Sequence, residues 1–341
     1  MSERRKLSWR TSALRIDVVS LRTPSCRWPR YAALALTLVV TGAVPSYGAE
    51  PSGQGRISIT AHFFPFEECD PPLPDRRCVV PSSHLWRIGW PSREARFERA
   101  DVSGLVTARD GTVAFVRYKR SVIGGVQVVE PLIYVADHLG AHPRLLTQGD
   151  EPTWSPDAKR LAFVRADSVW IIRRSGAGAR RLASGGNPTW SPSRRIAFFT
   201  NLRRCRQCIA TINSSGHALR QVSRGPRDFE PAWSPRADRL AYVSENRRTG
   251  GIATIKPDGT GRRRLKEGFN PTWSPDGERI AFHASTGVFV MRADGSQRRA
   301  VIDVETLYPS GPPAGAEEVL LSISEWQPNP CPATRGISTA P

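Results

Sequence analysis

Two cysteines with the spacing of a redox or metal site lie near the middle of the chain, in the segment CRQC that runs from Cys205 to Cys208. A catalytic dithiol of this spacing sits at a helix N-terminus, whereas this pair lies between two strand-like runs. A zinc site would need a second pair of ligands, and no other pair in the chain has matching spacing. A local disulfide is therefore expected, with free thiols and a redox-active pair as the alternatives.

The other cysteines suggest one further disulfide. Cys69 and Cys78 flank the proline-rich loop CDPPLPDRRC and are predicted to pair with each other. Such bonds form and persist in an oxidising compartment outside the cytoplasm. Cys331 is left without an evident partner.

Sequence signatures of other chemistry are missing. The 341 residues contain no G-x-S-x-G nucleophile elbow, phosphate-binding loop, dinucleotide fingerprint or H-E-x-x-H zinc motif. His138 and His142 are four residues apart but lie in a predicted turn, which favours turn residues over metal ligands. The Asp-Gly pairs lack the alternating aspartates of a calcium loop. No cofactor or metal is predicted, and a non-enzymatic protein is favoured over an enzyme.

The strongest pattern is a phrase that the chain repeats four times, as in NPTWSPDGERIAF from Asn270. The tryptophans of the four copies are Trp154, Trp190, Trp233 and Trp273. The steps between them are 36, 43 and 40 residues. A nearly fixed period of this length indicates stacked supersecondary units.

One copy of the phrase reads as a β-hairpin. PTW is extended, SPDG forms a turn because Pro275 sets φ and Gly277 tolerates a positive φ, and RIAF is the second strand. Two more strands follow on either side of an Asp-Gly turn at Asp294 and Gly295. Four antiparallel strands in about 40 residues are typical of a β-propeller blade, with the tryptophan packed between neighbouring blades.

The number of blades follows from the incomplete copies. Residues 104–116 contain a degenerate copy without tryptophan, and GRISITAHFF at 55–64 begins a unit that lacks an innermost strand. SISEWQPNP near the C-terminus places Trp326 before a proline-containing run, as at the start of a blade. We therefore predict an all-β fold, a six-bladed β-propeller closed by pairing of its N- and C-terminal strands. It should span residues 49–330 and be followed by a disordered tail at 331–341.

The first 48 residues have the pattern of an export signal. A basic segment precedes the apolar run YAALALTLVVTGAV, and Ser46 and Gly48 are small residues suited to a cleavage site. The run is shorter than the about 20 residues of an ordinary spanning helix. We expect an exported, extracytoplasmic protein, secreted or associated with the cell envelope. A short uncleaved anchor is the alternative.

The chain is strongly basic, with a formal net charge of +18. Removing the signal takes away eight basic and two acidic residues and leaves +12. Such a charge can attract nucleic acid, anionic lipid or acidic polymer. The arginines recur just after turns, in predicted outer strands, without interleaved aromatic residues. This pattern favours a solvated surface over nucleic-acid binding, with adhesion to an anionic envelope polymer as an alternative.

The phrase PTWSPDG..IAF, with an Asp-Gly turn before a basic outer strand, resembles the TolB-type WD-like repeat, also called the PD repeat. The resemblance extends over roughly residues 55–330 and is most specific at 151–300. It implies a bacterial, periplasmic propeller that binds protein partners around its central channel. Because no separate N-terminal α/β domain is evident, a role in the Tol envelope machinery does not follow.

In a propeller, the loops that lead into the innermost strands surround one mouth of the channel. The residues at these positions, here called the channel mouth, are Asp150, Glu151, Asn187, Asp228, Phe229, Glu230, Phe269 and Asn270. Acidic residues inside a basic shell predict a cationic or polar partner, unless they only hold turns. We expect a monomer that binds a protein or peptide at this channel face. The alternative is a propeller enzyme of the lactonase, lyase or hydrolase type, which usually gathers histidines at the mouth.

Overall fold

The structure is a computed structural model that describes residues 55–64, 83–123, 126–202, 205–245, 250–284, 287–311 and 318–327. The predicted export signal at 1–48, the Cys69–Cys78 pair, Cys331 and the tail at 331–341 lie outside these residues. Those four expectations therefore stay predictions.

The described residues form strands and one short helix. The first eleven strands are β1 (Gly55–Phe64), β2 (Ser83–Trp90), β3 (Ala95–Ala100), β4 (Ser103–Thr107), β5 (Val113–Ile123), β6 (Val126–Ala136), β7 (Arg144–Gln148), β8 (Asp150–Trp154), β9 (Arg160–Arg165), β10 (Ser168–Arg173) and β11 (Arg180–Ser184). The next eight are β12 (Gly186–Trp190), β13 (Arg195–Leu202), β14 (Cys205–Asn213), β15 (Arg220–Gln221), β16 (Asp228–Trp233), β17 (Leu240–Glu245), β18 (Gly250–Ile255) and β19 (Arg263–Arg264). The last elements are β20 (Phe269–Trp273), β21 (Arg279–Ala284), β22 (Gly287–Arg292), β23 (Arg299–Asp303), α1 (Val304–Leu307) and β24 (Glu318–Gln327).

These strands pair into six antiparallel sheets of four strands each. Blade 1 has the strand order β24-β1-β2-β3. Blades 2 to 6 each use four consecutive strands, beginning with β4, β8, β12, β16 and β20. The predicted six-bladed propeller is therefore confirmed.

The Ser-Pro dipeptide recurs because its serine closes the first hairpin of a blade. The Ser274 hydroxyl oxygen accepts the backbone N–H of Arg279 at 2.9 Å and donates to the Asp276 carboxylate. Gly277 has φ +72°, which glycine adopts without strain. The same serine-to-backbone bond closes the turns at Ser155–Arg160, Ser191–Arg195 and Ser234–Arg239. The repeated phrase thus forms the same local turn in four blades.

The hydrophobic core lies between the blades. Six clusters of buried side chains each join two neighbouring blades, and the last joins blade 6 to blade 1. Between blades 2 and 3, for example, Trp154 and Phe163 pack with Val106 and Val116. Since each sheet buries both of its faces against neighbours, apolar residues follow one another along the second strand of a blade.

The ends of the described chain close the ring as predicted. Strand β1 pairs with β24, and Ile57 lies opposite Trp326. Trp326 is completely buried, and its ring packs edge-on against Trp90 at 6.2 Å. The innermost strand of blade 1 therefore comes from the C-terminal part of the propeller, and the other three come from its N-terminal part.

The outermost strands are exposed, as the basic pattern predicts, but several of their arginines also connect blades. Arg180 of blade 3 donates to the Ser215 carbonyl at 3.1 Å and to the Ser214 carbonyl, both in a hairpin of blade 4. Arg220 of blade 4 donates at 3.1 Å to the Asp258 carbonyl of blade 5. These arginines therefore form a recurring link from one blade to the next.

Candidate functional site

The innermost strands share an irregular backbone at the channel mouth. In blades 2 to 6, the pairing of the first two strands shifts register near the start of the innermost strand. Within each bulge, one residue has a left-handed conformation, and these residues are Gly104, Glu151, Asn187, Glu230 and Asn270, with φ between 48° and 56°. Residues other than glycine seldom adopt this conformation, and a bulge redirects a side chain. The bulges therefore redirect two Glu and two Asn side chains from equivalent positions in blades 3 to 6.

These four side chains form two pairs, each of which bridges two blades. The Glu151 carboxylate accepts the Asn187 backbone N–H at 2.5 Å and the Asn187 side-chain amide at 2.9 Å. The Glu230 carboxylate accepts the Asn270 backbone N–H at 2.7 Å. Glu151 thereby links blade 3 to blade 4, and Glu230 links blade 5 to blade 6.

The environment of both glutamates disfavours their charged form. Burial, followed by the nearby charge of Asp150, raises the pKa of Glu151 to about 8. Burial also raises the pKa of Glu230 to about 8, although the Asn270 N–H opposes the shift. Neither glutamate forms an ion pair with a Lys, Arg or His of the described residues. Within the part of the chain that the structure describes, these carboxyl groups therefore have hydrogen-bond donors but no counter-charge.

The other predicted residues of the channel mouth have different surroundings. Asp228 is fully buried, and its carboxylate accepts the Gly225 backbone N–H at 2.9 Å, so it closes a turn. Phe229 is also buried, whereas Phe269 is 37% exposed. Asp150 is half-buried and accepts the Tyr118 hydroxyl at 3.1 Å. No local pattern in the sequence marks Tyr118, because it lies in the long hairpin of blade 2.

The Phe269 ring reaches from blade 6 toward blade 5. A methyl group added to Gly250 would come within 3.1 Å of the ring, so this glycine leaves room for the aromatic side chain. The ring is thus supported on one side by the backbone and open to solvent on another. Such a half-exposed aromatic group next to polar side chains is a common anchor in protein interfaces.

The structure brings Cys205 and Cys208 together at the same end of the propeller. Their sulfur atoms are in bonding contact, and their Cα atoms are 5.9 Å apart, within the range of a disulfide. Both residues are buried at the start of β14. The β13–β14 hairpin that contains them lies beside the start of β12, since Phe199 pairs with Gly186 and Thr200 pairs with Cys208.

The repeated tryptophans lie between blades, at the end of the innermost strands opposite the channel mouth. Trp154, Trp190, Trp233, Trp273 and Trp326 are each no more than 5% exposed. Each belongs to the cluster that joins its own blade to the preceding one. Two of their indole N–H groups donate to a carbonyl of the preceding blade, at 3.3 Å for Trp154 and 3.1 Å for Trp273.

Blade 2 has Thr107 where the other blades have tryptophan, and a buried carboxylate replaces the missing contact. The Thr107 N–H and hydroxyl donate to Glu325 of blade 1 at 2.8 and 3.0 Å. Burial raises the pKa of Glu325 to about 6. No motif in the sequence predicts this bridge, and its only signal is the absence of tryptophan from the degenerate copy.

The described residues contain no group of three or more His, Cys, Asp and Glu side chains placed to hold a metal ion. Within the same part of the chain, no helix is long and apolar enough to cross a membrane.

Comparison with solved structures supports the fold. TolB from Acinetobacter baumannii has a TM-score of 0.58 and 16% identity, over 80% of this chain and 67% of that one. A nidogen/laminin complex contains a chain with a TM-score of 0.54 and 15% identity, over 79% of this chain and 98% of that one. The tricorn protease reaches a TM-score of 0.51 with 13% identity, over 71% of this chain but 26% of that one. At these identities the likeness concerns the fold alone.

A search of curated protein sequences gave no match. The family model described as the TolB beta propeller domain matches residues 113–308, which is more than half of the chain. Those residues include all four copies of the tryptophan phrase and both Glu–Asn pairs. The chain belongs to the TolB β-propeller domain family.

Proposed function

We propose that this chain is a non-enzymatic, exported propeller that binds a protein or peptide at the channel mouth. The observation that carries the proposal is a combination of two features at one end of the innermost strands. They are carboxyl groups that form no ion pair with a described residue, and an exposed aromatic ring. A polar, partly aromatic surface of this kind suits a peptide segment, which offers backbone donors and side chains together.

The strained backbone at the channel mouth supports the same proposal. Glu151, Asn187, Glu230 and Asn270 all have left-handed conformations that cost free energy outside glycine. Such outliers cluster at ligand-binding positions, where they hold side chains in a fixed direction. The inter-blade hydrogen bonds of both glutamates add to this fixed geometry.

The relatives support a protein partner by analogy. One similar chain belongs to a complex of nidogen with laminin, so that propeller is found with a protein partner. Fold similarity alone does not carry function, and the proposal depends on the residues of the channel mouth. Export likewise depends on the signal-like residues 1–48, and N-terminal sequencing of the mature protein would test it: a start after Gly48 supports export.

A photo-crosslinking experiment would test the binding site. The crosslinking amino acid p-benzoyl-phenylalanine would replace Phe269 in one variant and Phe97 in the other. Phe97 is 47% exposed but lies on the outermost strand of blade 1, so it is a matched control. We expect a discrete crosslinked protein or peptide from position 269 alone, in cells that produce the protein naturally. No product from position 269, or the same products from both positions, would contradict the proposed site.

A further inference from the structure

We propose that the channel mouth recognises a basic side chain of the partner, which binds between the Glu151–Asn187 pair and Glu230. This inference rests on the proposed function and specifies the chemistry of the partner. The ligand would be a peptide segment with an arginine side chain. Three observations on the described residues support it.

The first observation is that the carboxyl groups act on one another without a counter-charge. The charges of Asp150 and Glu230 both act on Glu151, so the three groups border the same region. The ion pairs of the described residues include Glu245 with Arg227 but none of these three groups. Placing several carboxyl groups together without a cation is unfavourable. A cation supplied by a partner would remove this cost.

The second observation is a buried acceptor without a donor. Asn187 is 5% exposed, and both its backbone N–H and its side-chain N–H donate to Glu151. The oxygen of the same amide, Oδ1, has no hydrogen-bond partner among the described residues. Because the amide nitrogen donates to the Glu151 carboxylate, the amide group as a whole is held next to the acidic group. A buried acceptor of this kind is expected to have a partner.

The third observation concerns the geometry of the remaining lone pairs. Each Glu151 oxygen already accepts one N–H from Asn187, and a carboxylate oxygen can accept a second. A guanidinium group carries several N–H donors in a rigid plane, so it can bond a carboxylate and a neighbouring amide oxygen at once. A neutral amide would satisfy Asn187 but would not stabilise the ionised form of Glu151, which burial disfavours. An arginine side chain satisfies both requirements.

Two matched peptide libraries would test the inference. Both consist of acetylated, amidated heptapeptides with randomised flanking residues. One has arginine at the centre and the other has citrulline, which has nearly the same shape but no charge. Each library is passed over the immobilised full-length protein, and the retained peptides are measured by mass spectrometry. We expect about tenfold greater retention of the arginine library, the size of effect typical of a charge-assisted hydrogen bond.

Variants connect this preference to the channel mouth. Glu151→Gln and Glu230→Gln each keep an acceptor oxygen but remove the charge, and each should reduce the arginine preference to about twofold or less. Glu278→Gln is the matched control, because Glu278 is exposed in the first hairpin of blade 6, away from the channel mouth. Its preference should stay near the wild-type value. Thermal unfolding of every variant would show that the ring is intact.

The outcomes separate the inference from the proposed function. Equal retention of both libraries would overturn the basic-side-chain inference while peptide binding stands. An arginine preference that persists in both Glu151→Gln and Glu230→Gln would also overturn it, because the charge would then act elsewhere on this basic protein. Retention of neither library above a column with an unrelated protein would overturn the inference and the proposed function together.

Discussion

The two ends of the innermost strands use acidic residues in opposite ways. At the end with the Ser-Pro and Asp-Gly turns, here called the turn end, the hydroxyl of Thr260 lowers the pKa of Asp258. The hydroxyl of Ser296 does the same for Asp294, and arginines lie near both groups. At the channel mouth, burial raises the pKa of Glu151 and Glu230 to about 8. The hairpin aspartates at the turn end are thus stabilised as carboxylates, whereas Glu151 and Glu230 at the mouth are destabilised, as is the buried Glu325 that bridges blades 1 and 2.

This difference separates acidic residues that hold exposed turns from those that are buried between blades. A turn carboxylate such as Asp258 or Asp294 receives its donors from the residue two positions later, so its charge is satisfied locally and remains solvated. A carboxyl group that is buried without a cation costs stability, and such a cost is expected at functional positions. Asp228 shows that position alone does not decide the role. It lies at the channel mouth but closes a turn through the Gly225 N–H.

The largest expected effect is at the turn end. Ser274→Ala should lower the free energy of unfolding by about 2 kcal/mol, because the buried Arg279 N–H loses its acceptor. Urea unfolding at neutral pH would measure the loss. Ser296→Ala is the control, since Ser296 is exposed and should change stability by less than about 0.5 kcal/mol. Equal effects of both substitutions would show that the hydroxyl of the repeated serine does not stabilise the turn through its hydrogen bond.

A smaller effect of opposite sign is expected at the channel mouth. The Glu230 pKa is higher in the folded protein than in the unfolded chain, so its neutral form contributes stability. That contribution is complete below about pH 4.5 and is lost as the pH rises toward 8. Because glutamine does not ionise, Glu230→Gln should not lose this stability as the pH rises. At pH 8 the variant should therefore be more stable than the wild type.

The measurement for Glu230→Gln is urea unfolding between pH 5 and about 8. Among the described residues, the groups that act on Glu230 are the Asn270 N–H and the charge of Glu245, which itself pairs with Arg227. The charge of Glu230 in turn acts on Glu151. The exposed Glu278→Gln variant should keep the wild-type pH dependence. If Glu230→Gln also follows the wild type across this range, the two ends of the strands do not differ as described.

Much of the fold could be predicted because its signals are local. The Ser-Pro turn, the apolar second strand and the tryptophan lie within one hairpin, so a short segment contains all of their determinants. The closing strand was predictable for the same reason, since Trp326 repeats the start of a blade. The positions of Glu151, Asn187, Glu230 and Asn270 at the mouth followed from the order of strands in a blade.

The contacts that the sequence did not predict join distant residues. Thr107 and Glu325 are 218 positions apart, and Tyr118 and Asp150 are in different blades. Each contact depends on how far a side chain reaches across a blade boundary. The hydrophobic periodicity of the sequence does not predict this distance. The sequence likewise did not predict that the Asn187 oxygen lacks a hydrogen-bond partner among the described residues, because this depends on which neighbours the amide contacts. Such three-dimensional details decide between a turn residue and a binding residue.

The smallest expected effect concerns the arginine links at the turn end. Arg180→Ala should lower the free energy of unfolding by about 0.5 kcal/mol, because its donors to the Ser214 and Ser215 carbonyls are exposed to water. The control is Arg206→Ala, at the mouth-end hairpin of blade 4, where Arg206 is exposed and makes no hydrogen bond or ion pair with the described residues. Both variants lose one positive charge, so a difference between them in urea unfolding isolates the inter-blade link. Identical stability of the two variants would mean that the outer arginines contribute only charge.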